Sequence, residues 1–233
     1  MSKLSLLQAE IIQCRACPRL VAWREEVARV KVRRFREWTY WGRPVPGFGD
    51  PRARLLIVGL APAANGANRT GRMFTGDRSG DFLYAALHRA GYANQPTSDH
   101  RDDGLALTDA FIAAPVRCAP PENKPLPSEL ANCSSWFDRE VALLKNVRIV
   151  LALGAIGWNA TLLHFARRGL VLSSPRPKFG HGAEAQIAPG LRLLGCYHVS
   201  QQNTNTGKLT PRMIDSVLAR IKELTASAQS ITR

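Results

Sequence analysis

Long hydrophobic runs are absent from this chain of 233 residues. No apolar stretch approaches the roughly 18 to 20 residues that a membrane span requires, and the N-terminus lacks the layout of a signal peptide. These absences exclude an integral membrane protein. We expect a cytosolic protein that makes no membrane contact.

Nucleotide fingerprints and internal repeats are absent as well. The chain has neither a G-x-G-x-x-G motif nor a P-loop, which argues against a nucleotide cofactor. No segment recurs along the sequence, so a repeat architecture is excluded. A chain of this length can build one sizeable core, and its composition gives no reason to divide it.

Acidic residues are scarce. The sequence has 18 Asp and Glu against 32 Lys and Arg, which gives a formal net charge of +14. Such an excess of one sign opposes folding by self-repulsion and favours a polyanionic partner, because each phosphate that a cation neutralises releases counterions. A nucleic acid is the partner that this charge predicts.

Cysteine is also scarce, but four of the five cysteines have an informative spacing, Cys14-x2-Cys17 and then Cys118-x14-Cys133. Four thiolates spaced in this way can converge on one iron-sulfur cluster. Zinc is the first alternative, although zinc ribbons usually offer two C-x2-C pairs. Disulfides are a weaker alternative without a secretory signal. Cys196, in the apolar run LRLLGCY, is predicted to be an ordinary core residue.

We predict a single domain over residues 1–233. Leu4, Leu7 and Ile11 have helical spacing, so a short helix is expected to lead into the first cysteine pair. The segment from Arg33 to Asp50 mixes basic and aromatic residues with Gly and Pro, and we call it the arm; its plainest interpretation is an arm packed on the core. The expected divisions are an N-terminal part (1–50), an α/β core (51–226) and a flexible tail (227–233).

Four apolar segments have the continuous character of strands that are buried on both faces. They are RLLIVGL (54–60), residues 107–116, VRIVLAL (147–153) and LRLLGCY (191–197). Helical periodicity between them predicts a parallel sheet with helices on both faces. In such sheets ligands bind beyond the carboxyl ends of the strands, which indicates the polar loops after Leu60 and Tyr197 and the segment APPENKP.

These loops carry a resemblance. The turn GLAPA, the runs NRTGRMFTGD, RCAPPENKP and HVSQQNT, and the four cysteines together resemble the family 5 uracil-DNA glycosylases. The related family 4 enzymes carry Glu in the first motif, where this chain has Leu60 and Ala61. The resemblance implies a three-layer α/β fold with a four-stranded, mostly parallel central sheet. It also implies a structural 4Fe-4S cluster held by the four cysteines, and a monomer that excises uracil from double- or single-stranded DNA.

The expected chemistry assigns two catalytic residues. Breaking an N-glycosidic bond builds positive charge on the sugar and negative charge on the departing base. The resemblance implies that Asp77 stabilises the positive charge on the sugar, although Asp77 could instead be only a helix cap. His198 would donate to the base oxygen, although a histidine at a strand end is often just a loop residue.

Base binding is expected from four residues. In the family the residue matching Phe74 stacks on the extruded base, whereas a bare loop phenylalanine could simply anchor the loop to the core. Asn123 offers a donor and an acceptor for the base edge, or is a turn residue. Ala61 and Ala63 leave the pocket wide, so we expect other deaminated bases, hypoxanthine above all, to be accepted beside uracil.

DNA backbone contacts are expected from cations in and after the polar loops, which would position the strand without reading its sequence. Gln201 begins a loop that is expected to push into the duplex. One residue departs from the family pattern, since Asn65 stands where a histidine is expected. The predicted backbone contacts are Arg69, Arg72, Arg78, Lys208 and Arg212.

Two other classes of function remain open on the sequence. The chain could be a nucleic-acid-binding module without catalysis, in which the cluster only braces the fold. It could also be an iron-sulfur electron carrier, although the high positive charge and the absence of flavin or nicotinamide motifs argue against this.

Overall fold

A computed structural model describes residues 1–171 and 173–230, with side chains given up to residue 226. The tail predicted over 227–233 therefore lies outside the residues whose side chains are described. Within the described part, no helix is long and apolar enough to cross a membrane.

One sheet of six strands runs through the centre of the chain, in the order β1-β3-β2-β4-β6-β5. The four middle strands are parallel to one another, and each edge strand is antiparallel to its neighbour. The strands are β1 Phe48–Gly49, β2 Leu55–Val58, β3 Ala110–Ala113, β4 Ile149–Leu153, β5 Glu184–Ala188 and β6 Leu191–Cys196.

The four parallel strands are the four that the apolar runs predict, so the α/β class is confirmed. The expected total of four strands is too low, because the two edge strands carry no such run. β1 has only two residues, and β5 has one buried position in EAQIA. β3 is also shorter than the segment 107–116, since Asp109 has a φ of +56° and Pro115 cannot donate to a ladder.

Helices cover both faces of the sheet, as the alternation of strands and helices predicts. Along β2, Leu55 and Ile57 belong to one buried cluster with α4 and α8, while Leu56 and Val58 belong to another with α5 and α6. The helices are α1 Lys3–Ile12, α2 Pro18–Val30, α3 Ala67–Thr70, α4 Arg78–Arg89, α5 Pro127–Leu143, α6 Ala155–Arg167, α7 Gln201–Asn205 and α8 Pro211–Ser230. Cys196 is fully buried in the first cluster, which confirms its predicted place in the core.

A buried ion pair ties the arm to this core. The Arg117 guanidinium donates to a Glu140 carboxylate oxygen at 2.7 Å, and both side chains are at most 1% exposed. The other oxygen of Glu140 accepts the backbone N–H of Gly47 at 2.9 Å. A side chain at Gly47 would clash with Phe111 at 2.4 Å, so the arm approaches α5 as closely as its backbone allows.

Removal of the Glu140 charge is expected to destabilise the fold strongly. Glu140→Gln leaves a buried cation without its counter-charge, and we expect the free energy of unfolding to fall by about 3–5 kcal/mol. Urea denaturation of the purified protein measures the loss. The matched control is Asp215→Asn, which breaks a surface pair with Arg89 and should cost less than about 1 kcal/mol. Equal losses in the two variants would contradict the structural role of Glu140.

Candidate active site

A cavity of about 620 Å³ opens at the carboxyl edge of the parallel strands. The loops after β2, β3 and β6 form its walls, as expected for a sheet of this kind. It brings together all six of the predicted catalytic and base-binding residues and one predicted DNA contact: Ala61, Ala63, Phe74, Asp77, Asn123, His198 and Gln201.

Phe74 forms an aromatic wall of this cavity from a strained backbone. Its φ is +51°, a region that costs a bulky residue about 1–3 kcal/mol. The Ser98 hydroxyl donates to the Phe74 carbonyl at 2.8 Å, and Gly80 packs so closely that a Cβ would stand 1.9 Å from the same oxygen. The ring lies over Gly59, where a side chain would meet it at 2.9 Å. Surrounding contacts therefore hold the ring at the cavity wall.

Asp77 is both a helix cap and a wall of the cavity. One carboxylate oxygen accepts the Gly80 backbone N–H at 3.0 Å at the start of α4. The other oxygen lies against Gly66, where a Cβ would stand only 1.8 Å away. Burial raises the pKa of Asp77, and the backbone N–H groups of Gly80 and Ser79 partly oppose this. The two interpretations of this residue are therefore compatible, because one oxygen caps the helix and the other remains at the cavity.

His198 lies next to Phe74 in the cavity lining, with ring centroids 6.3 Å apart. Asn203 donates its amide to the His198 carbonyl at 2.8 Å, and Gly154 leaves room beside the His198 Cβ. Among the described residues the imidazole has no hydrogen-bond partner, so its N–H remains available to a ligand. Burial lowers the pKa of His198. The ring is therefore neutral at neutral pH and can donate a hydrogen bond without carrying charge.

The loop after β3 supplies the remaining polar wall. Asn123 is exposed at the cavity, and its φ is +57°, while Glu122 before it has a φ of +53°. Asparagine tolerates this left-handed region better than most residues. Another part of the lining is small and apolar, since Ala64 and Ala114 join the two predicted alanines.

The predicted DNA contacts divide into two groups. Arg78, Gln201, Lys208 and Arg212 are exposed, as a backbone contact requires. Two other predicted contacts, Arg69 and Arg72, are instead only 3% and 4% exposed.

Arg69 and Arg72 are engaged inside the protein, which disagrees with a direct phosphate contact. Arg72 forms a buried ion pair with Asp103 at 2.7 Å. The Arg69 guanidinium lies between the rings of Phe35 and Trp38, at 3.8 and 4.0 Å from their centroids. Sequence shows the charge of these side chains but not the partners that bury them.

The cavity lining also includes Arg34 and Asn65, to which the sequence alone assigned no role. Arg34 belongs to the arm, and no local pattern indicates that the arm returns to this edge of the sheet. Asn65 lies in the expected loop, and its side-chain oxygen accepts the Tyr40 hydroxyl at 2.9 Å. The arm is therefore part of the site.

The four spaced cysteines line one small cavity between the N-terminal segment and α5. Every sulfur accepts an N–H donor, and Arg24, which is 2% exposed, adds a buried positive charge. Among the described residues no three His, Cys, Asp or Glu side chains converge closely enough to hold a single metal ion. The donors are Trp136 to Cys14 at 3.3 Å, Asn132 to Cys17 at 3.8 Å, Arg24 to Cys118 at 3.0 Å and the Arg117 backbone to Cys133 at 3.3 Å.

Comparison with known proteins defines the class that this fold and cavity suggest. Residues 46–222 match the family model of the Uracil DNA glycosylase superfamily, so the chain belongs to that superfamily.

Individual relatives identify a narrower family within this superfamily. A type-5 uracil-DNA glycosylase of Mycobacterium tuberculosis is 57% identical over 219 residues, which cover 94% of this chain and 80% of that protein. The type-5 enzyme of Mycobacterium leprae is 57% identical over 219 residues, or 94% of each chain. That of Thermus thermophilus is 54% identical over 211 residues, 91% of this chain and 93% of its own. The chain belongs to the type-5 uracil-DNA glycosylases, and the resemblance drawn from its motifs is confirmed.

Gly66→Ala is expected to disturb the Asp77 carboxylate and lower the rate of uracil release by about tenfold or more. The added Cβ would stand 1.8 Å from the carboxylate oxygen, so the carboxylate would have to move away. A displacement of about 1 Å at a reacting centre is costly. Release from a uracil-containing oligonucleotide measures the rate. Gly180→Ala is the control, because its Cβ would meet Ala183 at an ordinary 3.6 Å. An unchanged rate in Gly66→Ala would show that the position of this carboxylate is not critical.

Proposed function

We propose that this protein hydrolyses the N-glycosidic bond between uracil and deoxyribose in DNA and leaves an abasic site. The observation that carries the proposal is the convergence of the Phe74 ring, the Asp77 carboxylate and the His198 imidazole on one cavity at the carboxyl edge of the sheet. The names of the type-5 relatives support it.

Substrate entry requires the base to leave the DNA stack, at a cost of a few kcal/mol. Stacking on Phe74 offsets part of this cost, since a base–aromatic contact contributes about 1–3 kcal/mol. The cavity volume of about 620 Å³ leaves room for a base and its sugar. The strained but well-held backbone of Phe74 means that little ordering is needed when the base arrives.

The reaction separates charge, and two side chains match that separation. As the bond from C1′ to the base nitrogen breaks, the Asp77 carboxylate stabilises the cationic sugar and orients water toward C1′. His198 donates its neutral N–H to the base oxygen, where negative charge develops. Water supplies the oxygen that bonds to C1′, its proton is released, and the base departs with the bonding electron pair. No electron is exchanged with any cofactor.

The breadth of the cavity supports a wider substrate range. The alanine wall formed by Ala61, Ala63, Ala64 and Ala114 presents no group that would exclude a larger base. A polar site that reads an oxygen acceptor through His198 suits any base with a carbonyl at that place. We therefore extend the proposal to hypoxanthine, and to single-stranded as well as double-stranded DNA. The protein would act as a monomer in the cytosol.

The four cysteines support the proposal of a 4Fe-4S cluster with a structural role. The shared cavity, the four N–H donors to sulfur and the buried Arg24 guanidinium fit a group that carries negative charge on thiolates. When bound, the cluster would tie the N-terminal segment to α5 and supply no step of the reaction.

The decisive assay uses oligonucleotides that carry uracil, hypoxanthine or no lesion, followed by alkali to reveal abasic sites. In this assay Asp77→Asn keeps the helix cap and removes the charge, so it should lower turnover at least about tenfold with little change in stability. Asp77→Ala should lose the same activity and also about 0.5–2 kcal/mol of stability. Wild-type turnover in Asp77→Asn would remove the carboxylate from the mechanism.

The pH profile offers a second check on the same residue. Because burial raises the pKa of Asp77, the carboxylate is protonated at a higher pH than an ordinary aspartate as acid is added. Turnover should therefore begin to fall above the usual range near 3.9 as the pH is lowered. The residual activity of Asp77→Asn should lack this acid limb.

Iron and sulfide analysis tests the cluster. Protein purified without air is expected to be brown and to hold about four irons per chain. Cys118→Ser should lose iron, whereas Cys196→Ser, whose thiol lies in the core away from the other four, should retain it. Stoichiometric zinc in place of iron would overturn the assignment.

A further inference from the structure

We propose that the arm is a second DNA contact, which binds the strand that flanks the extruded nucleotide. The inference rests on the proposed function only in taking DNA as the partner. It concerns residues outside the reaction, and it assigns a role to charge that the catalytic site leaves unused.

The arm carries exposed positive charge that the protein does not neutralise. Arg33, Arg34, Arg36 and Arg43 are all exposed, and none of them has an ion pair with a carboxylate in the described part of the chain. Exposed arginines elsewhere do have such partners, since Arg15 pairs with Glu25 and Arg89 pairs with Asp215. Glu37 is the one acidic residue between Arg33 and Arg43. The local charge is therefore strongly positive, as phosphate binding requires.

The arm is continuous with the substrate cavity. Arg34 lines that cavity and also a neighbouring cleft of about 660 Å³, which it shares with Asp77 and Gln201. The cleft runs past Phe35, Trp38 and the predicted DNA contact Arg78. It also contains the exposed residues Asp81 and Asp99, so a phosphate would lie on the arginine side of the cleft, away from these carboxylates.

A second cleft, of about 450 Å³, continues the path on the other side of Trp38. Its lining includes Arg43, Arg101 and the Trp41 ring, over which the Arg101 guanidinium lies at 4.2 Å. Arginines that alternate with aromatic rings along a groove are the chemistry that binds single nucleic-acid strands, by charge and by stacking. Continuity with a cavity of base size favours DNA over an acidic peptide.

The arm is also held in place before any ligand binds. The Trp41 and Gly42 backbone N–H groups donate to the carbonyls of Arg69 and Asn68 at 2.9 and 3.0 Å, and the Tyr40 hydroxyl donates to Asn65. A pre-organised surface loses little entropy on binding. The contact with the flanking strand would therefore support base capture rather than compete with it.

The test compares two variants of equal charge change. In the arm variant Arg33, Arg36 and Arg43 are replaced by Gln, which leaves the cavity residue Arg34 in place. In the control variant Arg52, Arg148 and Arg168 are replaced by Gln. All three control residues are exposed, lack ion pairs in the described structure, and lie near the amino edge of the sheet.

The measurement is the dissociation constant for a uracil oligonucleotide with a 2′-fluoro sugar, which resists hydrolysis, over a series of salt concentrations. Each phosphate contact on a single strand contributes about 0.7 to the slope of log K against log salt. The arm variant should therefore lose about 2 from the magnitude of this slope, whereas the control variant should keep it. Oligonucleotides shortened on one side of the uracil should weaken wild-type binding and leave the arm variant little changed.

Equal slopes in the arm variant, the control variant and the wild-type protein would overturn the proposal, as would the same response to shortening in all three. A loss shared by both variants would show a general charge effect and would also overturn it. Alkali cleavage of ordinary uracil DNA by the wild-type protein reports the proposed function separately. A failure of the arm and a failure of catalysis are thus distinguished.

Discussion

The site depends on one buried cation, the guanidinium of Arg69. It lies between the rings of Phe35 and Trp38 and donates to the carbonyls of Asn65 and Gly76 at 2.9 and 2.7 Å. It therefore joins the arm to both ends of the loop that carries Phe74. Burial lowers the pKa of Arg69, but an arginine remains protonated, so the charge must be stabilised by these rings and carbonyls.

The loop around Arg69 departs from the rules of local structure where its function requires it. Phe74 has a backbone conformation that glycine favours. Gly59 and Gly80 pack against Phe74, and Gly66 packs against Asp77, so closely that a side chain at any of the three would clash. Such strain persists only where neighbouring contacts determine the conformation. Here the hydrogen bond from Ser98, the helix cap at Asp77 and the hydrogen bonds of Arg69 hold the loop in this conformation. The result is a rigid aromatic wall beside an anionic group.

The sequence predicts the central strands and the catalytic loops for a simple physical reason. Strands buried on both faces must be continuously apolar, and loops beyond their carboxyl ends meet at one edge, so Phe74, Asp77 and His198 can be placed without coordinates. β5 could not be predicted, because an edge strand exposes most of its side chains. The burial of Arg69 and Arg72 could not be predicted either, since their partners Phe35, Trp38 and Asp103 lie 31 to 34 positions away along the chain and no local pattern joins them.

A chain of contacts through α2 connects the cysteine site to a cavity that the cysteines do not line. α2 begins directly after Cys17, and its Arg24 donates to the Cys118 sulfur. The Arg24 carbonyl in turn accepts the side-chain amide of Asn68 at 3.2 Å, in the loop that carries Arg69. α2 leads straight into the arm, so whatever fixes the start of this helix also fixes the approach of the arm to the cavity. A cluster on the four cysteines, if bound as proposed, would in this way stabilise the DNA-facing side of the protein from behind without taking part in the chemistry.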